Sequence, residues 1–248
     1  MHTGTMRMQR VMPTRSGLPS KAARRVAALV GALLLAGVMA GCGGGGPKNN
    51  GLDKDPAPRV GSRALDAFRH ADSVRVIGRL SSGSTESGDS TWDLRMVGTT
   101  TSGTFTSGSH KIDVVKSGAD TYIRGDQGYY QEIGESDASS LLAGRWVRLT
   151  PAQADKYRFL TVEGLALSLT EYLNSLSGNV TATTFAGRDA VLVKGGSGVT
   201  LYAATTGDPV PLRIDVVGGE NSRIEFSDYG SATTAAVPGD AVDLASFG

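Results

Sequence analysis

Two stretches decide the fold of this chain: Pro211–Val217, "PLRIDVV", and Arg223–Tyr229, "RIEFSDY". Leu212, Ile214 and Val216 fall on one side of the first, and Ile224 and Phe226 on one side of the second. Arg213, Asp215, Arg223 and Glu225 fall on the other side. Apolar residues at every second position mark strands half-buried against a core. A sheet written this way has one face in water and the other against something apolar, as antiparallel sheets commonly do.

The same period runs through much of the chain. "VRVIGRL" sets Val74, Val76 and Leu80 against Arg75 and Arg79, and "TWDLRM" sets Trp92, Leu94 and Met96 against Asp93 and Arg95. "GTFTS", "KIDVVKS", "TYIRG" and "GYYQEI" continue the series, with turns at "SGAD" and "RGDQG". After a mixed stretch holding "RWVRL", strands return as "VTATTF", "DAVLVK" and "VTLYAAT". The spacing predicts an antiparallel meander of ten or so strands.

Two helices stand out against this background. The first is predicted from about Ser62 to Ala71, with Ser62 as N-cap and Ala64, Leu65 and Phe68 on one face. The second is "VEGLALSLTEYLNSL", where Val162, Leu165, Ala166, Leu169, Leu173 and Leu176 recur at helical spacing and Gly178 is placed to close it. Helices so few must act as a lid over one face of a curved sheet. An apolar lid face serves equally for ordinary core packing and for a ligand pocket, and periodicity does not choose between them.

The N-terminal part has a different character. Residues 1–41 carry Arg7, Arg10, Arg15, Lys21, Arg24 and Arg25 and no acid, so the net charge of +1 leaves the remainder near −5. A basic head followed by apolar Val26–Met39 and small residues is the layout of a secretory signal. The apolar run of about fourteen residues is shorter than the roughly 20 a membrane-spanning helix needs. Residues 1–41 are therefore expected to be the signal peptide. The sole cysteine, Cys42, follows Met39-Ala40-Gly41, and "GGGGPKNNGLDKDPAPR" follows it as an expected flexible tether over 42–59.

The surroundings of Cys42 resemble the lipobox of bacterial lipoproteins. That resemblance implies diacylglyceryl transfer to the thiol, cleavage before Cys42, and attachment to the extracytoplasmic side of the cell membrane. More than one acyl chain is needed, since a single chain holds a protein only marginally. "GVTLYAATTGDPVPLRIDVVGG", "RIEFSDYG" and the closing "VDLASF", together with "ALDAFRHADSVRVIGRL" and "GRWVRLTP", resemble the LolA-like fold. The likeness is to the LppX/LprG-type lipoproteins of actinobacteria, over residues 60–248. It implies an α+β fold, a curved antiparallel half-barrel with a few helices on its concave face and an apolar cavity for lipid acyl chains. The cavity and lid candidates are then Val74, Val76, Trp92, Leu94, Met96, Val162, Leu165, Leu169, Leu173, Leu176, Leu212, Ile214, Ile224 and Phe226. The partners implied are a lipid or lipoconjugate and the membrane, with a membrane transporter or another envelope protein left open. The alternative is an envelope sensor, regulatory or scaffold lipoprotein of the same fold without lipid cargo.

Catalytic patterns are missing from the sequence. Beyond the leader the only histidines are His70 and His110, with no zinc, phosphate-loop or nucleophile-elbow spacing, so neither enzyme nor cofactor is expected. His70 is placed to meet the dipole at the end of the first helix, and His110 is expected in solvent within a turn. Glu132 and Glu135 are expected in loops without partners. Arg124-Gly125-Asp126 reads as turn chemistry. The mature charge and the lack of a basic stripe argue against nucleic acid.

The anchor is directly testable. Cys42→Ala removes the thiol that accepts diacylglycerol, so labelling with a fatty-acid analogue should fall to background and the uncleaved precursor should accumulate. Undiminished labelling would refute the lipobox.

Overall fold

The computed structural model describes residues 48–80, 90–216 and 222–247. The expected signal sequence, Cys42 and the first part of the tether lie outside them.

Strands β1 (Ser73–Leu80), β2 (Ser90–Val97), β3 (Thr100–Ser107), β4 (His110–Ser117), β5 (Asp120–Arg124) and β6 (Val147–Arg148) form a first meander. Strands β7 (Leu176–Phe185), β8 (Arg188–Gly195), β9 (Thr200–Ala204), β10 (Pro211–Asp215) and β11 (Arg223–Ser227) form a second. Strand β12 (Val242–Asp243) closes the series. The twelve lie in one open sheet of order β12-β6-β5-β4-β3-β2-β1-β11-β10-β9-β8-β7. Every pairing is antiparallel except β12 with β6. The two meanders join where β1 pairs with β11, in the register Arg75↔Ser227 to Arg79↔Arg223.

Alternation does what the sequence indicates along this seam. Val74, Val76, Leu94, Met96, Ile214, Ile224 and Phe226 are buried on the inner face. The outer face is a ladder of charges. Arg75 donates to both oxygens of Asp93, at 2.9 and 2.7 Å, and this bond holds the carboxyl below its ordinary range. Arg213 meets Asp215 at 2.6 Å and Arg223 meets Glu225 at 3.2 Å. Such half-exposed pairs contribute little stability each, but they keep the outer face wet.

Helices α1 (Ala57–Arg69) and α5 (Val162–Asn174) pack side by side and share the inner-face core with the strands. Phe68 of α1 meets Phe226 of β11 edge-on, ring centres 5.4 Å apart. The helices approach closely because Gly61 has no side chain. A Cβ there would lie 2.9 Å from the Leu173 carbonyl oxygen and 3.1 Å from Leu176 Cδ1. Short helices α2 (Gln127–Glu132), α3 (Ser139–Leu142) and α4 (Pro151–Ala154) fill the crossover between the meanders.

Four sequence expectations need correction. Helix α1 starts at Ala57 with Pro56 as N-cap, not at Ser62, because the Pro residues at 56 and 58 suit a first helical turn where no amide donor is required. Part of the expected tether is folded: Leu52 is fully buried, and Asn49 and Asn50 bond to the β9–β10 turn. "GYYQEI" is helix α2, not a strand. Asp126 caps it by accepting from the Tyr129 amide at 2.8 Å, and neighbouring Tyr129 and Tyr130 are both buried, which an alternating strand forbids. Helix α5 ends at Asn174, so Leu176 opens β7 and Gly178 lies within that strand.

The close approach at Gly61 gives a stability test. Gly61→Val should force α1 from α5 and cost about 1–3 kcal/mol, the usual range for overpacking. A melting temperature unchanged within a degree would contradict the packing described.

Candidate functional site: an apolar cavity beneath helix α5

A cavity of about 400 Å³ lies between α5 and the inner face of the sheet. Its floor is Trp92 of β2, Phe105 of β3, Ile224 of β11 and Val216 just past β10. Its roof is Leu165, Leu169 and Tyr172 of α5 with Phe159 before that helix. Ser90, Thr91, Thr106 and Ser168 complete its rim, where Thr91 and Thr106 alternate with Trp92 and Phe105 and so share the outer-face side of Asp93. The interior is therefore apolar, and the polar groups at its edge are neutral.

Local sequence explains the position of each wall. Thr161 caps α5 by accepting from the Gly164 amide at 2.9 Å, which sets the turn from which Leu165 and Leu169 project on one face. Trp92 pairs across the strands with Gly78, and its indole lies where a Cβ of residue 78 would stand. The missing side chain at 78 lets the ring lie flat on β1. Phe105 meets Tyr157 at a tilt, ring centres 5.9 Å apart, and this continues the aromatic wall away from the cavity.

Behind that wall lies a buried polar cluster. The hydroxyls of Tyr129 and Tyr157 hydrogen-bond to each other, and burial pushes both phenols up, so both stay protonated. Burial likewise pushes Tyr130 up to about 12. His110 sits beside Tyr129, its Nδ1 2.9 Å from Asp126 and its Nε2 3.5 Å from Glu132. The Tyr129 amide, and after it His110, holds Asp126 below the usual carboxylate range. His110 thus ties β4 to α2 instead of standing in solvent, and Glu132 lies on α2, not in a loop. Glu135 also has a partner, accepting from Gln153 at 2.7 Å. His70 caps α1 with its ring nitrogen 2.7 Å from the Asp66 carbonyl. Among the described residues no three potential ligands gather to hold a metal, and no helix is long and apolar enough to cross a membrane.

The sequence candidates overlap between cavity and core, since Leu165, Leu169 and Ile224 belong to the main core and Trp92 packs against it. Trp92, Leu165, Leu169 and Ile224 line the cavity. Val74, Val76, Leu94, Met96, Leu173, Leu176, Ile214 and Phe226 are packed in the main core, and Val162 lies half-buried against it. Leu212 belongs to a separate cluster with Ala190, Ala204 and Val210, because the register slips between Pro211 and Arg213. Phe105, Phe159, Tyr172 and Val216 were not among the candidates. Phe105 carried a readable signal, as the one large apolar residue in an otherwise polar strand.

No family model and no curated protein matches this chain. Among solved structures it is similar to LprF from Mycobacterium bovis, at 14% identity and a TM-score of 0.49, covering 75% of this chain and 97% of that one. It is also similar to the Pseudomonas aeruginosa MucA/MucB complex structure, at 16% identity and a TM-score of 0.36, covering 74% of this chain and 59% of that one. A LolA superfamily protein from Nitrosomonas europaea matches at 10% identity and a TM-score of 0.26, covering 74% and 96%.

The Trp92–Gly78 contact is open to test. Gly78→Val should drive the indole off β1 and into the cavity, shifting tryptophan emission relative to wild type, with Trp146→Phe in both proteins to isolate the signal. An unchanged spectrum would contradict the stacking.

Proposed function

We propose that this chain is a membrane-anchored envelope lipoprotein that holds an acyl chain of a lipid or lipoconjugate beneath α5 and performs no covalent chemistry. The observation that carries this reading is the cavity itself. Well-packed interiors leave few voids larger than a water molecule. Here about 400 Å³, partly open to solvent, lies between aromatic and aliphatic walls, within the roughly 300–1,000 Å³ of small-molecule sites, and this apolar lining sets it apart from the polar hollows elsewhere on the surface. Water gains little there, because a buried water needs several polar partners and the walls offer few, chiefly the Tyr172 phenol, the Trp92 indole N–H and the Ser90 hydroxyl. A methylene chain loses nothing by entering, and each CH₂ buried contributes about 0.8 kcal/mol.

The hydroxyl edge supports the same chemistry. Ser90 and Ser168 can hydrogen-bond an ester or headgroup oxygen while the chain lies inside. Acylated Cys42 would keep the domain at the cell membrane on its extracytoplasmic side. A membrane transporter or second envelope protein would be the exchange partner.

Leu169 distinguishes a pocket from a core. Leu169→Trp should occupy volume otherwise open to an acyl chain, cutting fluorescent fatty-acyl probe binding several-fold. If the space accepts the ring, melting should fall by only a degree or two. Overfilling an ordinary core would instead cost about 1–3 kcal/mol, a drop of several degrees for a domain of this size. That drop, with no probe bound by the wild type, would overturn the proposal.

A further inference from the structure

Strand β4 carries a lysine where its pattern calls for an apolar residue. Ile112 and Val114 belong to the main core, and alternation brings Lys116 to the same side. Lys116 is only 8% exposed, and its cross-strand neighbours Thr101 and Thr121 are buried with it. A lysine is almost never buried without a counter-charge, because its ammonium leaves water at high cost. Among the described residues Lys116 has no such partner and forms no ion pair. Its Nζ reaches only the Thr121 hydroxyl, at 3.4 Å. That is long for a charged donor, whose bonds run about 2.7–2.9 Å. At least two of the three ammonium N–H groups are left over.

Lys116 opens onto a hollow of about 310 Å³ between the end of β4 and the segment 151–161. Ala119, Pro151 and Ala154 give it apolar walls, and Arg158 brings a second cation that also forms no ion pair among the described residues. Asp155 lines the same hollow and pairs with neither. The Thr161 hydroxyl is already engaged, donating to the Arg158 carbonyl at 3.1 Å and accepting from the Gly164 amide at 2.9 Å. Two cations against one acid leave the hollow positive, and its unused donors belong to Lys116 and Arg158.

We propose that this hollow binds a phosphate group, whose oxygens take the unused N–H donors of Lys116 and Arg158. Phosphate offers several acceptor oxygens around one negative centre. It suits a point-charge ammonium and a forked guanidinium acting together. The group is either free phosphate or a phospholipid headgroup, and the recognition chemistry is the same for both. The hollow shares no lining residue with the apolar cavity, so it does not rest on the acyl-chain reading.

The test titrates the full chain, in non-ionic detergent, with inorganic phosphate and separately with mixed micelles containing phosphatidylglycerol. Potassium chloride at matched ionic strength is the control, and calorimetry reads the affinity. At least one probe should bind saturably, with Lys116→Met and Arg158→Gln each weakening it tenfold or more. Asp155→Asn should strengthen it, since that carboxylate repels the ligand. Phosphate bound alone identifies the free ion, and tighter binding of the lipid identifies the headgroup. Methionine fits the buried slot of Lys116, and Arg158→Gln reads the same site from an exposed position without disturbing the core. Fatty-acyl probe binding by both variants should match wild type, which separates this site from the cavity. Neither probe binding beyond the chloride control, or binding that either substitution leaves at wild-type strength, would overturn the proposal.

Discussion

The pairing of β1 with β11 is the constraint on which the molecule depends. It brings residues near 75 against residues near 225 and converts two local meanders into one open sheet. Each meander alone would expose an apolar face too narrow for two helices to cover. Joined, they provide one floor for α1 and α5, and the Phe68–Phe226 contact sits directly at the join. The entropy of closing so long a loop grows only slowly with its length, and burial along the seam offsets it.

The cavity follows from an imbalance between floor and roof. Helix α1 is drawn close to α5 through Gly61, and below that contact the side chains fill the core. Toward the Ser90 end, the floor is built from Trp92 and Phe105, and the Trp92 indole lies down against Gly78. Gly78 beneath Trp92 removes the one side chain that would lift the indole. Large residues around small ones thus leave a void where uniform aliphatic packing would leave none. The rings continue through Tyr157 into a cluster whose hydroxyls satisfy each other, so the polar atoms nearby make no demand on the cavity.

Much of this architecture was legible in the sequence, because burial on one face imposes period two on a strand wherever it occurs. Val74, Val76, Leu94 and Met96 showed it, and each lies where that pattern places it. The failures share a cause. At "GYYQEI", local turn and cap chemistry through Asp126 outweighs strand propensity in a short segment. At Leu176 the apolar spacing of α5 runs on past its last turn, because the first residue of β7 enters the same core. Side chains against other side chains and side chains around a space carry the same pattern, so Leu173 and Leu169 could not be separated before the fold was known. The charge-paired outer face, by contrast, was plain from Arg213, Asp215, Arg223 and Glu225.

The central claim is that the space beneath α5 is a site for an acyl chain. Native mass spectrometry of the non-acylated domain, expressed in a bacterial envelope and purified without detergent, tests it most directly. A single lipid adduct per protein, exchangeable for an added fatty-acyl probe, is the predicted result. Protein of bare mass that takes up no added amphiphile at any ratio would contradict the account.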